Sequence, residues 1–352
     1  MISNMNGSYP SAVSVCIAAR NESPTIRAAI DSIRAQRFPI GRKPEIEVIV
    51  FANACTDNTA QIVRGLARKQ PDLLRLIETD VAGKPNAWNE LRRAARHEYV
   101  FFVDGDVVVD PHAFHKILAM HAQRPDLVLL NGLNAWDVSK CDFLTRLSLP
   151  PDDEGIVLQT WQATICARLY GCWKKGLDDA LLTAGYRNIP VDTIGADRWL
   201  RCVLDRAASR DTGIPVPALS EKRARTWAIC RQALVYSVPP DWWRDKPRVR
   251  ARLLHAQATL RYAFPECYEQ KVPVGGHQPT SAAERIRQRF ARVRTLLAAG
   301  GPHAILRGIM DVLAERRARR LFDRSQNVPL RISAENWISA GSSKVVADNA
   351  VR

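Results

Sequence analysis

Two carboxylates separated by one glycine, Asp104-Gly105-Asp106, close the apolar run Val100-Phe101-Phe102-Val103. The run has the composition of a buried strand, and two charges buried unpaired inside a sheet would be costly. Their place is the rim where the strand ends, where paired carboxylates can hold a divalent cation and where ligands of open α/β sheets bind. Three further polar segments also follow apolar runs: Ala18-Ala19-Arg20-Asn21-Glu22, Asn53 with Thr56 and Asp57, and Gly83-Lys84-Pro85-Asn86-Ala87. Brought to one rim, the four segments offer hydrogen-bonding groups for a base, a lysine and a carboxylate pair. That inventory can hold a nucleoside diphosphate whose pyrophosphate is neutralised by Mn2+ or Mg2+.

The elements that must position these groups alternate in type. Strands are expected at 13–18, 47–51, 73–77 and 99–103, with helices after each of the first three. Ser23 and Pro24 have the chemistry of a helix start, and Ile26, Ala29, Ile30 and Ile33 follow at helical spacing. The other two helices are expected after Asp57, an expected cap, and over Lys84 to Ala95. Such alternation implies βαβ units and a mixed, mainly parallel sheet flanked by helices. A helix to His121, a strand over 127–132 and a helix over 196–207 follow, while 133–190 reads as polar loops with helical patches at 155–186. From 241 onward the pattern is helical and Arg-rich, over 243–263, 281–299 and 303–322. The expected division is a nucleotide-binding half at 1–120, an acceptor-binding half at 121–235, a helical basic region at 236–335 and a polar tail at 336–352.

Composition narrows the classes. With 352 residues the chain can bury a large core, and no apolar stretch reaches the ~20 residues of a membrane span. The polar start Met1–Pro10 lacks the form of a signal peptide. A cytoplasmic protein is expected, at most peripheral to the inner face of the membrane. Eight cysteines without a Cys-x-x-Cys pair read as reduced thiols. The net charge of +15 is unevenly spread: 26 basic and 26 acidic side chains up to Glu221, then 25 against 10. The basic C-terminal part is expected to cover the site, meet an anionic substrate or membrane surface, or support a homo-oligomer; nucleic acid is not expected.

The ordered segments Ser14 to Glu22, Ala52-Asn53-Ala54-Cys55-Thr56-Asp57-Asn58-Thr59, Gly83-Lys84-x-x-Ala87-x-Asn89 and Asp104-Gly105-Asp106 resemble the signatures of family 2 glycosyltransferases. The resemblance implies a GT-A fold, a UDP- or GDP-linked sugar donor, Mn2+ or Mg2+, and transfer to a hydroxyl acceptor, in most members with inversion. It implies that the backbone of Ala18, Ala19 and Arg20, with Glu22 close by, and the side chain of Asn53 hold the nucleobase. Lys84 would sit near the donor, Asp104 on ribose or metal, and Asp106 on the metal directly. Many relatives have Asp where this chain has Asn53, which leaves the base open. Ile194-Gly195-Ala196-Asp197-Arg198-Trp199-Leu200 is similar to the family's Glu-Asp-x-x-Leu segment, with Ala196 in place of the Glu. By that similarity Asp197 is the general base; a helix cap is its alternative role. Lys222-Arg223-Ala224-Arg225-Thr226-Trp227 is similar to the Gln-x-x-Arg-Trp segment of processive relatives, without its Gln and with Thr226 inserted. Arg223, Arg225 and Trp227 are accordingly candidates for the diphosphate, or a surface basic run.

Asp152-Asp153-Glu154 and Asp178-Asp179 read mainly as solvated acidic groups, Trp242-Trp243 as packing, and His255, His277 and His303 as non-ligands unless one joins the metal. Two other classes stay open: a nucleotidyltransferase of similar fold, which would carry a Gly-rich basic loop after the first strand, and a non-catalytic protein binding nucleotides or anionic surfaces.

Overall fold

The four apolar runs of residues 12–104 are strands, and they are apolar on both faces because helices cover both. The computed structural model describes residues 9–268, except 140, 150–153, 161, 163, 167, 243 and 244, together with 310, 312–314 and 316–320. β1 (Ala12–Ala19), β2 (Glu45–Asn53), β3 (Leu74–Thr79) and β4 (Tyr99–Asp104) pair in parallel in the order β3-β2-β1-β4. α1 (Ile26–Arg34), α2 (Thr59–Lys69) and α3 (Lys84–Ala94) connect them. Alternate residues point to opposite faces. Val13, Val15, Ile17, Tyr99, Phe101 and Val103 meet α1, α2 and α4 (Ala113–Gln123) in one core. Cys16, Val100 and Phe102 meet α3, α6 (Lys174–Thr183) and α7 (Ala196–Thr212) in the other.

Beyond β4 the sheet becomes mixed. β8 (Leu169–Trp173) lies antiparallel between β4 and β6 (Leu129–Asp137), and β9 (Trp227–Ser237) lies parallel to β6. β5 (Val108–Val109) pairs antiparallel with β9, and β7 (Ile156–Leu158) with β6. β5 follows β4 almost at once in the chain, yet β8, β6 and β9 lie between them in the sheet. The sheet therefore curls around the core that contains α4. The strands of the expected halves 1–120 and 121–235 share this one sheet. α5 (Phe143–Leu147), a 3-10 turn (Val216–Ala218), α8 (Lys246–Ala263) and α9 (Pro265–Tyr268) complete the described elements.

Three differences from the sequence reading have physical reasons. The region expected to be loops and helical patches contains β7 and β8. β8 is only five residues, Leu-Tyr-Gly-Cys-Trp, four of them buried, and a short run buried on both faces has no period to separate strand from helix. α1 begins at Ile26 with Thr25 at its cap position, so Ser23 does not cap it; the Ser23 N–H donates to Asp57 Oδ2 at 3.0 Å. α7 extends to Thr212 and stops at Gly213, which has φ 69°. The expected helices over 281–299 and most of 303–322, and the tail 336–352, lie outside the described residues.

β8 fits between β4 and β6 because Gly171 has no side chain. A Cβ there would lie 2.6 Å from Tyr99 Oη, 2.9 Å from the Phe101 ring and 3.0 Å from Ile117. Overpacking of this kind costs about 1–3 kcal/mol. Gly171→Ala should therefore lower the unfolding free energy by that amount, read as a lower urea midpoint at unchanged m-value; an unaltered midpoint would show that the neighbours yield freely.

His121 on α4 is 3% exposed and its Nδ1 lies 2.5 Å from Tyr99 Oη. Burial pushes the imidazole pKa down to about 4, with the Leu127 backbone and Asp126 opposing. Between pH about 6.5 and 4 the unfolded chain thus binds a proton that the folded chain does not, so stability falls as pH falls across that window, by about 3 kcal/mol in all. Urea titrations across this range should show the loss, and His121→Gln should remove its slope; the same slope in that variant would assign it elsewhere.

Candidate functional site

The parallel register brings the carboxyl ends of β1, β2 and β4 level: Ala18 pairs with Asp104, Ala19 with Ala52, and Asn53 with Thr79. The loops that follow are clasped to one another. Asn21 Oδ1 accepts from the Thr56 N–H at 2.7 Å, and Asn21 Nδ2 donates to Thr56 Oγ1 at 3.1 Å. The Glu22 N–H donates to Thr59 Oγ1 at 2.7 Å. Asp57 accepts from the Thr59 N–H at 3.0 Å and from Ser23, so it fastens the start of α2 to the loop after β1. Burial works against ionisation of Asp57, but the donors of Thr59 and Ser23 hold its carboxyl below the usual aspartate range. Asn58, not Asp57, occupies the cap position of α2; Asp57, one residue earlier, acts as the clasp between the two loops.

Glu22 is buried beneath the carboxylate pair. Thr25 Oγ1 donates to Glu22 Oε2 at 3.1 Å and contacts Gly105 O at 3.0 Å. A Cβ on Gly105 would come within 3.2 Å of Glu22 Cγ and 3.3 Å of Ala19 Cβ, so the residue between the two aspartates must be small. Asn53 is wholly buried, and its Oδ1 accepts the Gly83 N–H at 3.1 Å. Asn53 therefore anchors the turn that starts α3 and presents Lys84, and it exposes no edge to a base.

Lys84 Nζ meets Asp104 Oδ1 at 2.5 Å, with the two side chains 30% and 21% exposed. Burial would lower the lysine pKa, but Asp104, helped by the charges of Asp197 and Asp106, holds it above the ordinary lysine value. Burial and the adjacent Asp104 push the Asp106 carboxyl up, with Arg168 and Lys84 opposing. Asp197 lies in the first turn of α7, two residues after the cap Gly195. It is thus within electrostatic reach of Lys84 and belongs to the same cluster; Gly195, not Asp197, occupies the cap position.

The structure adds Arg168 to this cluster. β8 runs antiparallel to β4, so the residue before β8 meets the end of β4: the Asp104 N–H donates to Arg168 O at 3.2 Å, and the guanidinium donates to Ser237 Oγ. Buried amides on β6 hold the segment leading to it. The Cys166 N–H donates to Asn131 Oδ1 at 2.9 Å, and Asn134 Nδ2 donates to Cys166 Sγ at 3.0 Å. The sequence signal for it is the pair of asparagines inside an apolar strand, Asn131 and Asn134.

Arg223, Arg225 and Trp227 are not brought to this rim. Trp227 pairs with Leu129, which pairs with Cys172, which pairs with Val100 at the start of β4. They therefore lie at the opposite end of the sheet, about 13 Å along β4 from Asp104 at the usual strand rise. Trp227 Nε1 donates to Asp205 Oδ1 at 2.7 Å, and Arg225 lies 3.8 Å from the same carboxylate and 5.1 Å over the Trp227 ring. This is a packed ionic contact against α7. Arg223 is exposed in a turn with φ 53°.

The minor candidates are structural where they are described. Asp178 pairs with Arg92, and Asp179 with Lys175 at 2.6 Å. Trp242 is buried, and its N–H donates to Thr145 Oγ1 at 2.8 Å. His255 is partly buried on α8, where burial lowers its pKa. Asp152, Asp153, Trp243, His277 and His303 lie outside the described residues. Among the described residues no group of three or more His, Cys, Asp or Glu side chains could by itself hold a metal ion.

The lysine, the carboxylate pair and the third aspartate thus gather at the carboxyl rim of the sheet, the place where open α/β sheets bind ligands. Residues 14–166 match the family described as Glycosyl transferase family 2. The chain is 31% identical over 121 residues to a poly-beta-1,6-N-acetyl-D-glucosamine synthase of Staphylococcus epidermidis, covering 34% of this chain and 28% of that protein. It is 30% identical over 116 residues to an uncharacterized glycosyltransferase of Nostoc sp., covering 33% and 34%. The matches thus span about a third of the length of these curated relatives. Among solved structures, the chain is similar to a mannosyltransferase of Pyrobaculum calidifontis in complex with GDP-Man and Mn2+, with TM-score 0.49, 19% identity, and coverage of 98% of this chain and 88% of that one. It is also similar to TarS residues 1–349 of S. aureus in complex with UDP, with TM-score 0.45, 15% identity and coverage of 90% and 93%.

Proposed function

We propose that this chain is a metal-dependent glycosyltransferase that moves a sugar from a UDP- or GDP-linked donor to a hydroxyl acceptor with inversion. The observation that carries the reading is the convergence of Lys84, Asp104, Asp106 and Asp197 on one rim of a family 2 domain. Mn2+ or Mg2+ fits Asp106 and the free oxygen of Asp104. Such ions take one or two carboxylates and complete their shell with substrate phosphates and water, so a site without three protein ligands is the expected form. The raised pKa of Asp106 marks a carboxylate short of positive charge. A cation bound there would offset the charge developing on the departing diphosphate.

The protein's own groups divide the remaining work. The backbone from Ala18 to Arg20 borders the base, and Asn53 sets the turn that presents Lys84. Lys84 and Arg168 supply fixed positive charge beside the diphosphate. Asp197 takes the proton of the acceptor hydroxyl as its oxygen bonds to the anomeric carbon; the bond from that carbon to the diphosphate oxygen breaks, and the electron pair leaves with the nucleoside diphosphate.

Thermal unfolding with a ligand panel tests the reading. UDP or GDP with Mn2+ should raise the melting temperature by several degrees, because a ligand at about 100 times its dissociation constant adds about 2.7 kcal/mol. Stabilisation by nucleoside triphosphates instead would point to nucleotidyl transfer, and no shift with either diphosphate in the presence of metal would remove the donor assignment.

A further inference from the structure

Two cysteines far apart in the chain meet where the end of α8 packs on α7. Cys202 lies on α7 and is wholly buried; Cys267 lies on α9 and is partly exposed. Cys267 Sγ approaches Cys202 O at 3.7 Å, and the two thiols hydrogen-bond to each other. Both are free thiols. A buried cysteine alone is ordinarily a small apolar side chain, but two thiols in contact are the starting geometry of a disulfide.

Groups on either side hold this contact. One turn beyond Cys202, Arg206 Nε lies 2.6 Å from Glu266 Oε1, and Arg206 Nη2 donates to Ala263 O at 2.7 Å. The same guanidinium stands 4.2 Å over the ring of the buried Phe264. Cys202 and Arg206 share one face of α7, and Glu266 and Cys267 are adjacent in the chain, so the ion pair sets the thiols against each other. On the other side Arg201 Nη2 lies 3.7 Å from Cys202 Sγ, with its guanidinium 5.8 Å from the centre of the Tyr268 ring. The hydrogen bond from Cys267, with burial opposing and Arg201 helping, lowers the Cys202 thiol below the ordinary cysteine value. The same hydrogen bond, with burial, pushes Cys267 up. The pair therefore carries one negative charge shared through a hydrogen bond. Cys16 and Cys172 differ: each donates to a backbone carbonyl, Leu91 O at 3.6 Å and Val100 O at 3.8 Å, and burial raises both.

We propose that Cys202 and Cys267 are a redox-sensitive pair that closes to a disulfide by exchange with a low-molecular-weight disulfide, stapling the α8–α9 end of the fold to α7. Cys267 is the sulfur open to solvent. Passage of its proton to Cys202 leaves the thiolate on Cys267, which attacks one sulfur of glutathione disulfide and releases one glutathione thiolate. Cys202 then attacks the Cys267 sulfur of the mixed disulfide, and its proton leaves with the second glutathione. Two cysteine thiols are oxidised and one glutathione disulfide is reduced. α9 is a single turn of four residues, short enough to shift from thiol contact to a bonded pair. Asp197 sits in the first turn of α7, and α8 passes its loop, where a Cβ on Gly195 would lie 3.0 Å from Ala256 Cβ. The staple thus fixes the packing that seats Asp197. The pairing itself does not rest on the transferase reading.

Incubation of the full chain in glutathione buffers of increasing oxidised fraction, then alkylation and peptide mapping, tests it without turnover. A peptide pair joined through Cys202 and Cys267 should appear, and dithiothreitol should remove it. The oxidised chain should melt several degrees above the reduced one, because a cross-link closing a long loop restricts the unfolded chain. Cys267→Ser should lose the joined peptides and the melting shift, and should melt close to the reduced wild type. Cys202→Ala should also lose the joined peptides and the shift, whatever its own stability. Two free thiols at every glutathione ratio would overturn the proposal. So would glutathione held on Cys267 without closure, joined peptides that use another cysteine, or a melting shift retained in Cys267→Ser.

Discussion

Asp197→Asn should lower turnover by about 10²–10⁴-fold, the usual contribution of a positioned general base, with donor affinity nearly unchanged. The reason is geometric. Asp197 belongs to the rim cluster through its field on Lys84, yet the hydrogen-bonded partner of Lys84 is Asp104. Removing the charge of Asp197 therefore leaves the Lys84–Asp104 pair and the Asp106 carboxylate in place. Because Gly195 occupies the cap position of α7, the asparagine should also fold normally. Turnover of a panel of nucleotide sugars, with nucleotide affinity measured in parallel, separates the two effects. Wild-type turnover would remove Asp197 as base; a matching loss of nucleotide affinity would move it to donor binding.

Asp106→Asn should abolish the Mn2+-dependent part of nucleotide stabilisation and cost about 10²–10⁴-fold in kcat/KM, since a metal at a developing leaving-group charge supplies several kcal/mol. Without ligand the same variant should be at least as stable as wild type near neutral pH. In the unliganded protein, burial and Asp104 both disfavour the ionised Asp106, so a neutral amide of the same shape removes a repulsion. A variant that melts lower without ligand would show that Asp106 is held mainly by Arg168 as a structural ion pair. A variant that keeps its metal response would place the cation elsewhere.

The two variants probe residues of very different legibility. Asp104 and Asp106 stood out because a buried strand has no use for two charges at its end, and Lys84 because it opens a helix after a glycine at the same rim. Order along the chain was enough to bring these together, since parallel strands joined by helices must place successive carboxyl ends side by side. Asn53 was legible in position and not in role: its amide turns inward to the Gly83 N–H, a choice settled by the turn before α3.

In residues 133–240 the helix at Ala196 and Asp197 in its first turn were legible, and the strands β7, β8 and β9 were not. β8 enters between β4 and β6 by antiparallel pairing, a long-range contact with no local period, and it alone explains how Arg168 reaches Asp104 and Asp106. β9 carries Arg225 and Trp227 to the far end of the sheet, where Asp205 holds them; a basic run read in one dimension gives no sign of which end it reaches.

By itself, then, the sequence determined the parallel βαβ half, its four rim segments and the uneven charge of the chain, because each depends on local periodicity or on composition. Only the tertiary structure decided which later residues join the rim. Arg168 and Asp197 arrive there, and Arg223, Arg225 and Trp227 do not, because the direction and register of β8 and β9 and the run of α7 follow from packing between residues far apart in the chain.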